Sequence, residues 1–277
     1  MKNNKFRILS IDGGGIRGVV PAHILSRISK TLEIEIVDHF DMIAGTSTGS
    51  IIAAGIACKK DPEHIVSLYK MNGPSIFSGV KSWWPEKFKP GFHSLYCNKP
   101  LRELLQAILG DVRLGDVAIP LLIPATNIGL GIVHVFKSRY SENFVRDPEV
   151  LLRDAVLASC AAPLYFDPAK VGENLLADGG LWANNPSLAA VIDARYRLDI
   201  PFESISILSL GTGIAKPYYG VDTNRTWGLL RGWKGKALID LIMSLQSQSI
   251  DNYLGLLLQG DQVLRINFKS DLPLPLD

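Results

Sequence analysis

The sequence predicts an α/β fold with a mostly parallel sheet. Three observations carry this: short apolar runs such as Arg7-Ile-Leu-Ser-Ile11 and Ile205-Ser-Ile-Leu-Ser-Leu210, helical periods between such runs, and glycine-rich breaks where the first two runs end. Strands that alternate with helices are joined by crossovers, and crossovers make neighbouring strands parallel.

Residues 7–11 form an apolar run too short for a helix, and it stops at Asp12-Gly-Gly-Gly15, so a buried strand is expected there. Residues 21–32 place Ile24, Leu25, Ile28 and Leu32 at a helical period. Residues 40–44 read as a second strand cut by Gly45, and residues 49–57 are small and apolar enough for a buried helix. Leu101, Leu104, Leu105 and Ile108 mark an amphipathic helix closed by Gly110. Residues 120–125, 132–136 and 205–210 complete the strands. Two segments resist this scheme. Residues 78–92 set Trp83, Trp84, Phe88 and Phe92 among lysines and prolines, and residues 216–236 set Tyr218, Tyr219, Trp227 and Trp233 among Arg225, Arg231 and Lys234. Both are expected to be long loops or short helices with aromatic and basic surfaces. With no internal repeat or linker, a single domain is expected over residues 1–277.

Composition narrows the class of function. At 277 residues the chain allows one large or two small domains. Its 29 Lys plus Arg against 27 Asp plus Glu leave a formal charge of +2, so neither sign dominates and no nucleic-acid partner is expected. With 47% apolar and 20% charged residues the composition is globular, not disordered. Cys58, Cys97 and Cys160 form neither a CxxC pair nor an even framework, which fits reduced thiols in the cytoplasm. The first six residues lack the apolar region of a signal peptide. The apolar run Ile51-Ile-Ala-Ala-Gly-Ile-Ala-Cys58 falls far short of the roughly 18–20 residues that cross a bilayer.

Gly13-Gly-Gly15-Ile-Arg17-Gly18 follows a strand and precedes a helix, the setting of a dinucleotide fingerprint, and Glu33 and Glu35 lie about 20 residues on, where an acid would hold a ribose. The same row of backbone N–H groups at a helix start also serves as an oxyanion hole. The motif alone does not choose between cofactor and oxyanion.

Gly45-Thr-Ser47-Thr-Gly49 tips the balance. It is G-x-S-x-G between a strand and an apolar helix, where glycines permit the sharp turn of a nucleophile elbow. A nucleophilic serine needs a base. The histidines are His23, His39, His64, His93 and His134, and none follows Asp178, so a triad in the order Ser, Asp, His cannot form with that acid. Other orders stay open, but no histidine stands in a motif-like setting, and His23 and His39 read most simply as helix-face residues. A carboxylate is the better candidate. Asp178-Gly179-Gly180 ends the apolar run Asn174-Leu-Leu-Ala177, and an aspartate at a strand end can accept a serine proton if burial raises its pKa. An Asp-Gly turn is the plainer reading of the same three residues.

Taken together these residues resemble the patatin-like phospholipase family. Asp12-Gly-Gly-Gly-Ile-Arg-Gly18, Gly45-Thr-Ser-Thr-Gly49 and Asp178-Gly-Gly180 are its three signatures in order, joined by Ala158-Ser-Cys-Ala-Ala-Pro163, Asn184-Asn-Pro186 and Ser209-Leu-Gly-Thr-Gly213. The likeness runs from about residue 6 to 213 and is loose over 214–277, whose ending Asp271-Leu-Pro-Leu-Pro-Leu-Asp277 resembles no finished element and suits a longer protein. The resemblance implies a three-layer α/β/α fold and a Ser-Asp dyad that cleaves acyl esters of membrane phospholipids. It implies Ser47 as nucleophile, Asp178 as base, backbone N–H groups of Gly13, Gly14 and Gly15 as oxyanion hole, and Arg17 as support for that loop, with Gly18, Gly45, Gly49, Gly179 and Gly180 shaping the turns. It implies neither metal nor cofactor. Its bacterial branch implies an effector switched on by a cyclic nucleotide during phage infection. A lipid substrate makes the aromatic-basic segments candidates for peripheral membrane contact.

Overall fold

The computed structural model describes residues 5–78, 94–215, 219, 227, 232, 233, 235–270, 274 and 277. Trp83, Trp84, Phe88 and Phe92 lie outside them, as do Tyr218, Arg225, Arg231 and Lys234.

In chain order the strands are β1 (Phe6–Ile11), β2 (Met42–Gly45), β3 (Leu121–Asn127), β4 (Ile132–Lys137), β5 (Ala169–Val171), β6 (Asn174–Asp178), β7 (Ile205–Leu210), β8 (Ile214–Ala215), β9 (Val263–Ile266) and β10 (Lys269–Ser270). The helices are α1 (Val19–Leu32), α2 (Thr48–Ala57), α3 (Pro62–Ser78), α4 (Asn98–Leu109), α5 (Leu152–Ser159), the single turn α6 (Gly180–Ala183), α7 (Ser187–Arg197) and α8 (Gly235–Leu257). The main sheet has the order β5-β6-β3-β2-β1-β7-β9, with β4 on β3, while β8 and β10 pair separately. Strands β3, β2, β1, β7 and β9 are parallel to their neighbours in that row, as the alternating pattern predicts. Strands β4 and β6 run antiparallel to β3, and β5 antiparallel to β6, so the sheet is mixed at this end.

Period-two alternation sorts the strand side chains onto two faces. Leu9, Ile11, Ile43, Ile123 and Leu210 pack beneath α1 to α5. Ile8, Met42, Leu122, Ile205 and Ile207 pack beneath α7 and the C-terminal part of α8. A sheet buried on both sides by helices is the three-layer arrangement expected. The C-terminal region that carries little resemblance is built into it, because β9 adds to β7 through Ile207–Val263 to Leu210–Ile266.

One edge of β3 organises the site. Strand β4 occupies the other edge from Leu122 to Asn127, so β2 and β6 share this one. Strand β2 pairs with Leu121 and Leu122, and β6 arrives from the opposite direction to pair with Ala125, Thr126 and Asn127. Pro124 stands at the gap between them, where its missing N–H costs no ladder bond. The ends of β2 and β6 therefore meet head to head, and each carries a motif residue.

Candidate active site

Ser47 follows β2 and caps α2 with φ 52° and ψ −127°, a left-handed conformation that a side-chain-bearing residue holds only under constraint. The glycines supply that constraint. A Cβ on Gly45 would lie 2.3 Å from the Gly49 carbonyl oxygen, and one on Gly49 would lie 2.4 Å from the Ile11 oxygen. Either would force β2, α2 and β1 apart. The Ser47 N–H donates to Ser159 Oγ at 2.9 Å, and the Ser159 hydroxyl donates to Pro124 O at 2.6 Å, which ties the elbow to the gap in β3.

From the other side, Asp178 ends β6. Its N–H donates to Ala161 O at 2.9 Å, its carbonyl accepts Thr126 Oγ1 at 2.8 Å, and its Oδ1 accepts the Gly180 N–H at 2.6 Å. Gly179 is required by contact, since a Cβ there would meet Pro124 O at 2.3 Å. Ser47 Oγ donates to Asp178 Oδ2 at 2.6 Å, with both residues buried. Burial pushes the Asp178 carboxyl up to about 7, against the pull of the Ser47 hydroxyl and the Gly180 N–H. A carboxylate tuned near neutrality is a far stronger base than an exposed aspartate, and it stands in contact with the hydroxyl it would deprotonate.

The glycine loop lies over the dyad. Asp12 is buried and held by Arg265 of β9, with Nη1 2.9 Å from Oδ1 and Nη2 2.6 Å from Oδ2. Arg265 also reaches Asp251 of α8 at 3.3 Å. Arg17 turns back on its own loop, its Nε donating to Gly14 O at 3.1 Å. Gly18 packs against Thr48, 3.1 Å from a Cβ position to Thr48 Cβ. The Gly13 N–H donates to Asn184 O at 3.0 Å, so it is turned into the scaffold and away from the cavity, whereas Gly14 and Gly15 line it. Gly13 therefore belongs to the anchoring of the loop.

A dinucleotide reading of this loop fails on position. In that fold the ribose acid stands at the end of the second strand. Here Gly45-Thr46-Ser47 occupies that place, and Glu33 and Glu35 are exposed beyond the far end of α1.

A cavity opens beside Ser47 and Asp178, lined by Ile51, Tyr69, Ile76, Phe77, Leu104 and Phe166 among others. Its walls are almost wholly apolar, as those of small-molecule sites predominantly are. Among the described residues no histidine lines it. His134 is buried in β4, where burial and Arg146 push it down to about 4, and His93 lies outside the described residues. Among the described residues no group of three or more His, Cys, Asp or Glu could hold a metal, no helix is long and apolar enough to cross a membrane, and the three cysteines are free.

Sequence reasoning left several contributors without a role. Ser159 and Pro124 brace the elbow, Asp12 and Arg265 anchor the loop, Met243 of α8 lines the cavity, and Asn184 accepts the Gly13 N–H. Of these, Asp12, Ser159 and Asn184 sit inside quoted motifs, and burial of a polar motif residue was the signal available.

A family model described as patatin-like phospholipase matches residues 9–191. The chain is 34% identical over 228 residues to a cGAMP-activated phospholipase of Escherichia coli (strain TW11681), covering 75% of this chain and 62% of that protein, so less than two thirds of that relative is spanned. It is 30% identical over 268 residues to a cGAMP-activated phospholipase of Pseudomonas aeruginosa (strain BWHPSA011 / Pa011), covering 96% of this chain and 79% of that protein. Among solved structures, VipD from Legionella pneumophila aligns with 98% of this chain and 63% of that chain at a TM-score of 0.44 and 14% identity. The elbow, the glycine loop and the strand-end aspartate all fall inside the matched stretch, and on that match the chain belongs to the patatin-like phospholipase family.

Proposed function

We propose that this chain is a serine-dependent lipid acyl hydrolase of the phospholipase A or lysophospholipase type. The observation that carries the reading is the 2.6 Å contact between Ser47 Oγ and Asp178 Oδ2 at the foot of an apolar cavity. An ester acyl chain enters the cavity and places its carbonyl against Ser47. Asp178 takes the hydroxyl proton as Oγ attacks, and the N–H groups of Gly14 and Gly15 hold the oxyanion. The leaving alcohol takes the proton from Asp178. Water then attacks the acyl-enzyme with Asp178 again as base, which releases the fatty acid and restores Ser47.

A cyclic-nucleotide activator is the partner we propose. The support is that two relatives at 30% and 34% identity are named cGAMP-activated phospholipases. Fatty-acid release from phospholipid vesicles, followed by mass spectrometry with and without a panel of cyclic dinucleotides, tests both statements. Release that rises with one member of the panel is expected. Full basal release with no response removes the activator, and no release under any condition removes the lipase reading.

Peripheral membrane contact is proposed through Tyr219, Trp227 and Trp233. Trp227 and Trp233 are 46% and 38% exposed, with their ring centroids 5.2 Å apart, and such a cluster suits the headgroup level of a bilayer. Trp227→Ala with Trp233→Ala should weaken binding to anionic vesicles severalfold while hydrolysis of a soluble ester is retained. Equal losses in both assays would count against it.

A further inference from the structure

The acyl cavity poses a problem for the second half of the reaction. Once its apolar walls hold an acyl chain, the attacking water must come from elsewhere. A second, polar cavity lies behind the glycine loop, lined by Asp12, Arg17, Asn184, Thr212, Asp240 and Ser247. Met243 borders both cavities.

Asn184 connects this polar space with the dyad. It is 7% exposed, and its Nδ2 donates to Ser247 Oγ at 2.9 Å and to Gly13 O at 3.4 Å. Those bonds fix the amide with Oδ1 on the opposite side, and among the described residues Oδ1 has no hydrogen-bond partner. An unpartnered buried amide oxygen is costly, so native structures keep one only where something else meets it. Its surroundings identify what that is. A Cβ on Gly180 would lie 3.0 Å from both Asn184 Oδ1 and Asp178 Oδ1, and one on Gly13 would lie 2.5 Å from Asn184 Oδ1 and 3.1 Å from Ser47 Cβ. Asn184 Oδ1 and Asp178 Oδ1 therefore flank the same face of Gly180, beside Met243, and Asn184 Oδ1 and Ser47 flank the same face of Gly13, so the amide oxygen stands next to both members of the dyad.

We propose that Asn184 holds the water that hydrolyses the acyl-enzyme, an inference that rests on the serine hydrolase reading above. In the resting protein Asp178 Oδ2 is occupied by the Ser47 hydroxyl. Acylation removes that hydrogen and frees Oδ2. A water from the polar cavity then donates one hydrogen to Asp178 and the other to Asn184 Oδ1, which turns its oxygen lone pair toward the ester carbonyl. Asp178 takes the first proton as the water oxygen bonds to the carbonyl carbon. The tetrahedral intermediate collapses by breaking the bond to Ser47 Oγ, which recovers the proton from Asp178, and the fatty acid leaves. Attack by Ser47 on the ester needs no such water, so the water held by Asn184 Oδ1 bears on deacylation.

The test is rapid-mixing hydrolysis of p-nitrophenyl butyrate by the full chain, with the protein's intact mass recorded during turnover. Asn184→Ala is expected to release close to one equivalent of p-nitrophenol at the unmodified protein's acylation rate. Steady turnover should then be slower by about tenfold or more, with kcat and KM falling together and a butyryl adduct accumulating on Ser47. The burst itself reports folded sites, so instability cannot imitate this result. Parallel losses in both half-reactions, or unchanged turnover, overturn the assignment. Ser244 of α8 also lines the polar cavity, and if Asn184→Ala does not fold, Ser244→Met, which narrows that cavity, is judged by the same criteria. Absence of acylation on Ser47 in the unmodified protein would instead remove the serine hydrolase reading, and this inference with it.

Discussion

Ser47→Ala and Asp178→Asn should each lower fatty-acid release from phospholipid vesicles by at least about 10³-fold, because neither residue of such a unit retains its function alone. Liquid chromatography with mass spectrometry checks the release, and normal release from either variant would end the dyad assignment. Asp178 also sets the pH dependence. It acts as a base only when ionised, and burial holds it protonated up to about pH 7. The value of kcat/KM for a soluble ester should therefore rise with pH, bend near 7 and level off above it. Stability runs the other way. The unfolded carboxyl ionises near its ordinary 3.8 and the folded one near 7, so the favourable contribution of this group is full below 3.8 and is lost as pH rises to about 7. Asp178→Asn cannot ionise. It should melt several degrees above the unmodified protein at pH 8 and gain nothing at pH 4, a signature of a site that gives up stability for reactivity.

Arg265→Met should be the most destabilising single change outside the apolar core. It strands Asp12 as a buried carboxylate with its bidentate partner gone, a loss worth roughly 3–5 kcal/mol. For a chain of this size that is a fall of about 10 °C in Tm. Esterase activity should drop too, because Asp12 begins the loop that carries Gly14 and Gly15. The loss should shrink as pH falls, because burial raises the Asp12 carboxyl and an unpaired Asp12 takes up a proton more readily still. Adding Asp12→Asn removes the stranded charge and should recover much of the Tm without the activity. Thermal melts of the three proteins decide this, and a single variant within about 2 °C of the unmodified protein, a loss of about 1 kcal/mol or less, would contradict it.

The parts of the fold that local pattern controls were legible. Strands β1, β2, β3 and β7 and helices α1, α2 and α4 lie where apolar period and glycine breaks put them, with no end displaced by more than three residues. Gly110 closes α4 with φ 57°, as its position implied. Strand direction at the β3 edge was not legible, since an apolar run reads alike in either sense. The evidence for reversal sat in short connections, Gly172-Glu173 between β5 and β6 and the Gly129 to Gly131 stretch between β3 and β4. Helix α8 escaped because residues 241–250 carry apolar side chains on several faces and no charge, which gives no clean 3.6 period. The dyad could be read because each member sits in a glycine frame with its own steric reason. The supports could not. Asp12 and Arg265 stand 253 residues apart, and Ser159 meets Ser47 across 112. Only the convergence of β1, β2, β6 and β9 brings them together.

The central claim is that Ser47 is the nucleophile and Asp178 its base. A long-chain alkyl fluorophosphonate, which forms a stable bond to an activated serine, tests it most directly when the labelled protein is digested and mapped by tandem mass spectrometry. The label should appear on Ser47 alone, vanish in Ser47→Ala, slow sharply in Asp178→Asn, and abolish lipid hydrolysis in proportion to its occupancy. Labelling of another serine, or fatty-acid release that persists when Ser47 is fully modified, would contradict the account.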